Sequence, residues 1–252
     1  MGGAARLAGL ARSLALGYAI PFRGRRLARL YAPFLGPGRL AFDIGAHAGN
    51  RVRAFRRLGA RVIAVEPQPD FARLLETLYG RDPAVTIVRA AVGRAAGTAR
   101  LLVAERTPTV STLSTDWTER VRADPSFAGV SWAPGATVAV TTLDALIEAH
   151  GEPDFVKLDV EGYEAEALAG LTRPVRALSF EYLPAAREVA LACVERLAAL
   201  GHYEFNWSRG ESQVLARSAW LEADALRSFL DRLRPGDGSG DVYARRVRSE
   251  RA

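Results

Sequence analysis

Two groups of residues in this 252-residue chain are of types and spacings that could do chemistry. The first is the run Asp43-Ile44-Gly45-Ala46-His47-Ala48-Gly49-Asn50, followed by Glu66 and Pro67. Gly45 and Gly49 let the backbone come close to a ligand and leave helix N–H groups facing it. Glu66 ends the next apolar run, where a carboxylate accepts both hydroxyls of a ribose. The first group therefore suits an adenosyl cofactor. The second group is Lys157, Asp159 and Glu161, with Glu181 ending a later apolar run. While the chain is extended, residues 157, 159 and 161 share one face. Three charges on a core strand are costly unless they pair or line a site. Lys157 is also the only lysine among 34 basic residues, which marks a place where a compact ammonium is wanted over a guanidinium. Asp159, Glu161 and Glu181 are candidates to take a proton from an acceptor or to orient it, with His47 a weaker fourth, and the bland alternative is a buried ion pair that holds the strand.

The elements that must position these groups follow from periodicity. Arg39–Ile44 reads as a strand, Val52, Phe55 and Leu58 as the buried face of a helix stopped by Gly59, and Val62–Val65 as the next strand, which together make a parallel βαβ unit. Beyond it the pattern predicts a helix over 70–79, a strand over 85–92, and a hairpin extension around Gly93, Gly97 and Leu101-Leu102-Val103. Residues 105–135 lose periodicity and carry Pro108, Pro125 and Pro134, so they read as a substrate-facing insertion or as a surface loop. Regular alternation returns with a strand over 137–143, a helix over 144–150 capped by Thr142, and an apolar strand over 154–160. A helix opened by Glu161-Gly162-Tyr163-Glu164, a strand over 176–183, a helix over 185–200, a strand over 202–207, a helix over 219–233 and a strand over 241–247 complete the order. Alternating β and α elements make a doubly wound α/β sheet the expected fold. The expected division is an N-terminal basic segment, residues 1–38, and one catalytic domain, residues 39–252.

A nicotinamide dinucleotide would call for G-x-G-x-x-G, and this loop has His47 where the second glycine belongs. An acid two places before the first glycine, here Asp43, is instead the arrangement of S-adenosylmethionine (SAM) methyltransferases. A nicotinamide-dependent oxidoreductase and a non-catalytic SAM-binding protein stay open on these residues alone. Four motifs taken together resemble the FkbM-type SAM-dependent methyltransferases: Phe42-Asp43-Ile44-Gly45-Ala46, Val65-Glu66-Pro67, Thr141-Thr142-Leu143-Asp144, and Lys157-Leu158-Asp159-Val160-Glu161-Gly162-Tyr163-Glu164, with Gly240-Asp241-Val242-Tyr243 near the end also similar. The resemblance implies a seven-stranded Rossmann-like methyltransferase sheet with its last strand antiparallel. It implies SAM as cofactor, held by Asp43, Gly45, His47, Gly49, Asn50, Glu66, Pro67 and Ala91. It also implies O-methylation of a hydroxyl on a sugar, glycolipid or polyketide-type product. His47 departs from the pattern, which favours a small or amide residue at that place. No metal is expected.

Composition narrows the rest. A net charge of +6 with pI near 10.0 favours anionic neighbours, but the arginines are spread widely and no aromatic-basic stripe accompanies them, so nucleic acid is not an expected partner. The expected partner is a small-molecule or glycan hydroxyl acceptor. Residues 1–39 hold seven arginines and no acid, with Leu7, Leu10, Leu14 and Tyr18 at helical spacing. That is a basic amphipathic segment, suited to capping the domain or to peripheral membrane contact. No apolar run reaches membrane-spanning length. The single cysteine, Cys193, cannot form an internal disulfide and fits a cytoplasmic setting.

Overall fold

A computed structural model describes residues 23–104 and 107–247. Its centre is a seven-stranded sheet. In chain order the strands are β1 (Leu40–Ile44), β2 (Arg61–Val65), β3 (Val85–Val88), then β7 (Phe155–Leu158), β8 (Ala177–Tyr182), β9 (Tyr203–Arg209) and β10 (Gly240–Arg246). Their spatial order is β3-β2-β1-β7-β8-β10-β9. The first five pair in parallel, while β10 runs antiparallel to both of its neighbours. A second, three-stranded sheet holds β4 (Ala91–Val92), β5 (Gly97–Val103) and β6 (Ala133–Thr141) in the order β4-β6-β5. This is the expected doubly wound fold with its last strand antiparallel.

All five residues of β1 and all four of β7 are buried. Such near-continuous apolar runs form when both faces of a parallel sheet are covered. One face packs the cluster that includes Phe42, Val156, Phe180 and Val194, and the other packs Tyr31, Phe34, Phe55 and Phe155. The second face is covered by α1 (Arg23–Tyr31) and α2 (Asn50–Arg57). Tyr31 meets Phe55 edge to face at 4.8 Å, an arrangement favoured by the ring quadrupoles. The N-terminal basic segment lies outside the described residues up to position 22; its described part, α1, buries Leu27, Leu30 and Tyr31 in this core. Among the described residues no helix is long and apolar enough to cross a membrane.

The remaining helices are α3 (Pro69–Tyr79), α4 (Thr115–Val121), α5 (Leu143–His150), α6 (Glu164–Ala169), α7 (Arg187–Leu200) and α8 (Ala223–Asp231). Thr142 caps α5, its hydroxyl accepting from the Ala145 amide at 3.1 Å. Several expectations differ from what forms. The run 85–92 is two strands, because Val65 opposite Val88 is the last pair β2 offers and Ala91-Val92 pair instead with Val140-Thr141. The segment around Gly93 and Gly97 is not a hairpin, since β4 and β5 lie on opposite sides of β6. The last helix starts at Ala223 rather than 219, because Leu221 forms a β-bridge with Phe205. The segment from 107 to 135 has its own structure: α4 is capped by Ser114, and Trp117, Phe127 and Trp132 form an aromatic cluster with centroids 5.4–6.2 Å apart.

Candidate functional site

The C-terminal ends of β1, β2 and β7 open onto a cavity of about 470 Å³. This is the crevice where open α/β sheets bind ligands. Gly45, His47, Asn50, Glu66, Pro67 and Ala91 line it on one side, and Asp159, Glu161 and Glu181 on the other. Asp43, Gly49 and Lys157 do not reach it. Asp43 and Lys157 sit one layer back in the sheet, opposite each other in register, and Gly49 is the left-handed cap of α2 at φ 81°.

Glu66 is 2% exposed and fixed from both sides. The amides of His47 and Gln68 each donate to one of its oxygens at 2.8 Å, so each oxygen keeps a lone pair for a ligand hydroxyl. Burial raises its pKa to about 7, against the pull of those two amides. His47 holds a left-handed backbone, φ 48°, which aims its amide at Glu66, and its ring lies on Phe71 with centroids 3.8 Å apart. Burial depresses the imidazole to about 4, so at neutral pH it is uncharged. Its Nε2 and the Asn50 side-chain oxygen are buried without a protein partner among the described residues. Such orphaned atoms in a cavity mark places a ligand satisfies. Asp43 is different: both of its oxygens lie fully buried, burial raises it to about 6, and Arg51 opposes that rise.

Lys157, Asp159 and Glu161 were expected to share one strand face. They do not, because β7 ends at Leu158 and Glu161 turns into the left-handed region at φ 52°. The turn is held from the insertion. Thr112 donates its hydroxyl to the Glu161 carbonyl at 2.6 Å, and Trp117 packs so close to Gly162 (φ 83°) that an added Cβ would lie 2.1 Å from its ring. The effect is to bring Glu161 back to Asp159 and Glu181, one oxygen from each lying within 4.8 Å of the others. Lys157 Nζ lies 3.6 Å from Asp159 and 2.8 Å from Asp241, and Arg51 reaches Asp159 at 3.0 Å. Burial works against a charged Asp159, yet Lys157 and Arg51 hold its pKa below the ordinary carboxylate value. Glu161 and Glu181 go the other way, pushed well up by burial and by neighbouring carboxylates. The trio thus joins one carboxylate that two cations hold ionised to two whose ionisation burial and neighbouring carboxylates oppose. Three oxygens of this kind match the ligand type of a divalent cation, but the charge such an ion would bring is already supplied to Asp159 by Lys157 and Arg51.

Sequence reasoning missed Arg51 and Asp241. Arg51 looks like one more surface arginine of an arginine-rich helix, and Asp241 lies 84 positions from the lysine it binds. Only its place in the Gly240-Asp241-Val242-Tyr243 motif hinted at a role.

The donor set fits an adenosyl cofactor: Glu66 for ribose hydroxyls, Ala90, Ala91, Leu101 and Leu113 as an apolar strip, and Asn50 with the first turn of α2 at the other end. The family model described as "Methyltransferase FkbM domain" matches residues 43–225. No curated protein matches. Among solved structures, the O-methyltransferase from Bacillus cereus in complex with S-adenosylhomocysteine (SAH) is similar at 13% identity, covering 95% of this chain and 91% of that one, with a TM-score of 0.46. A TehB-like SAM-dependent methyltransferase from Corynebacterium glutamicum has 12% identity over 94% of each chain and a TM-score of 0.46. The precorrin-6y C5,15-methyltransferase from Geobacter metallireducens has 12% identity, 89% and 87% coverage, and a TM-score of 0.43.

Proposed function

Because the chain belongs to the FkbM methyltransferase family and its cofactor is SAM, we propose that it O-methylates a hydroxyl group of a small molecule or glycan, such as a sugar, glycolipid or polyketide-type product. The observation that carries this reading is a single cavity with a ribose-type carboxylate, Glu66, at one end and the Asp159, Glu161 and Glu181 trio at the other. SAM supplies a methyl group already activated on a sulfonium. What the chain must add is alignment of the acceptor oxygen and a place for its proton. Asp159, kept ionised by Lys157 and Arg51, takes the proton. Glu161 and Glu181, beside Asp159 in the trio, orient the acceptor by hydrogen bonds. Lys157 touches no ligand and acts through Asp159.

Glu66→Ala is expected to weaken SAH binding at least about tenfold, since hydrogen bonds to a charged group contribute roughly 1.5–3 kcal/mol each. Only ionised Glu66 accepts from both ribose hydroxyls, and its pKa is near 7, so affinity should fall as pH drops from above that value to below it. Calorimetry across that range checks both points; heat from NADH and none from SAH would overturn the cofactor reading.

The single cysteine, Cys193, buried and free, supports a cytoplasmic setting. The seven arginines of residues 1–39 support contact with an anionic membrane surface. Cosedimentation with anionic vesicles that is lost at high salt is the expected result; equal recovery with and without lipid would refute the contact.

A further inference from the structure

We propose that the helix layer formed by α1 and α2 is a docking face for an anionic lipid bilayer. The inference rests on the membrane contact proposed from residues 1–39 for the class of partner, and it goes further by assigning the contact to a surface of the folded domain. α1 and α2 pack side by side over one face of the large sheet. Tyr31 meets Phe55 at 4.8 Å, and the Arg57 guanidinium lies 3.5 Å from the place of an added Cβ at Gly24. Neither helix contains an acid, and both are rich in arginine. Two of those arginines are bound, Arg51 to Asp159 and Arg56 to Asp82. Arg26, Arg29 and Arg57 are exposed and make no ion pair among the described residues.

Charge is segregated across the sheet. The helices packed on its opposite face, α5 to α8, carry two acids each, with arginine only in α7 and α8. α3, on the α1–α2 side, is balanced: Asp70 has Arg73 and Glu76 has Arg89. Glu211, which shares a cavity wall with Leu27 and Leu30, is itself engaged. The sheet thus separates a basic helix layer from an acidic one, so a negatively charged plane attracts one side of the domain and repels the other. A bilayer is the anionic partner that fits. The aromatic residues of the two helices, Tyr31 and Phe55, are buried and offer no platform for a nucleobase. The sequence running into α1 sets Leu7, Leu10, Leu14 and Tyr18 at helical spacing among arginines, the pattern of a helix that lies in a membrane interface.

The test uses the full chain and vesicles of equal parts phosphatidylcholine and phosphatidylserine, with pure phosphatidylcholine as the uncharged counterpart and cosedimentation as the readout. An arginine held near an anionic bilayer contributes about fivefold in affinity, so Arg57→Glu should weaken binding by at least that factor. Arg26→Glu, Arg29→Glu and Arg57→Glu together should weaken it about 100-fold or more. Arg232→Glu makes the same change of charge at an exposed arginine beyond the end of α8, on the opposite face, and should bind as the wild type does. SAH affinity, measured on every variant, should be unchanged and reports that each is folded; Arg57→Gln, the milder change, should give a smaller loss in the same direction. Equal losses in Arg57→Glu and Arg232→Glu would mean that only net charge matters, which overturns the face. Undiminished binding by Arg57→Glu and by the triple variant would place the contact wholly in the residues before 23 and overturns it too. A wild-type chain that ignores the mixed vesicles refutes membrane contact altogether, and a DNA duplex that displaces the chain from them at equal phosphate concentration would replace the bilayer by a nucleic acid.

Discussion

Asp159→Asn is expected to lower turnover by about 10²–10⁴-fold, the usual contribution of a positioned general base, while fold and SAH affinity persist. The substitution keeps side-chain volume and leaves an amide oxygen that still accepts from Arg51, now 3.0 Å from the carboxylate. It removes the one carboxylate of the trio that is held ionised by two cations. Glu161 and Glu181 are poorer proton acceptors, because burial and neighbouring carboxylates raise both well above the ordinary carboxylate value. Single-turnover methyl transfer, with SAH calorimetry on the same preparation, separates the base from a binding residue. A variant that methylates at the wild-type rate would place the base elsewhere.

Lys157→Ala should cost both activity and stability. Lys157 is wholly buried, and its ammonium is shared between Asp159 and Asp241. Burial alone would lower its pKa, yet the two carboxylates hold it above the ordinary lysine value, so it is charged throughout the working range. Removing one partner of a buried ion pair costs about 3–5 kcal/mol, because the other charge is left uncompensated. Here Asp241 is the group stranded, since Arg51 still serves Asp159. Asp241→Asn introduced into Lys157→Ala should therefore recover part of the loss, and urea midpoints of the two single variants and the double variant measure that coupling. Purely additive losses would mean that the Lys157–Asp241 contact carries no stability of its own.

The βαβ unit and the cofactor edge were readable because their signals are local: glycine placement, apolar periodicity and an acid at each strand tip. Glu66 is the clearest case, since a single residue at the end of β2 is enough to place a ribose carboxylate. The acid trio was readable in its members but not in its geometry. Extended-chain reasoning puts residues 157, 159 and 161 on one face, whereas Glu161 joins Asp159 only through a left-handed turn fixed by Thr112 and Trp117 from about fifty residues upstream. Arg51 and Asp241 were hidden for the same reason: their partners come from other strands and helices, and their residue types are common on any surface. The break between β3 and β4 was invisible because extended propensity is the same on both sides; only the exhaustion of pairing with β2 decides it.

The position of β10 carries a consequence for how the molecule is made. It lies between β8 and β9 and pairs with both, so a nascent chain that has emitted every element through α8 still has two facing strand edges with nothing between them. Until β10 arrives, those edges are open to pairing with other chains. The same strand delivers Asp241 to Lys157, so the buried ammonium gains its second counter-charge in the step that seals the sheet. Closure of the fold and charge balance behind the base are thus one late, long-range event, of the kind that sets folding speed through sequence separation. A polypeptide stalled before residue 240 therefore has open strand edges and lacks the second counter-charge behind its base at the same time.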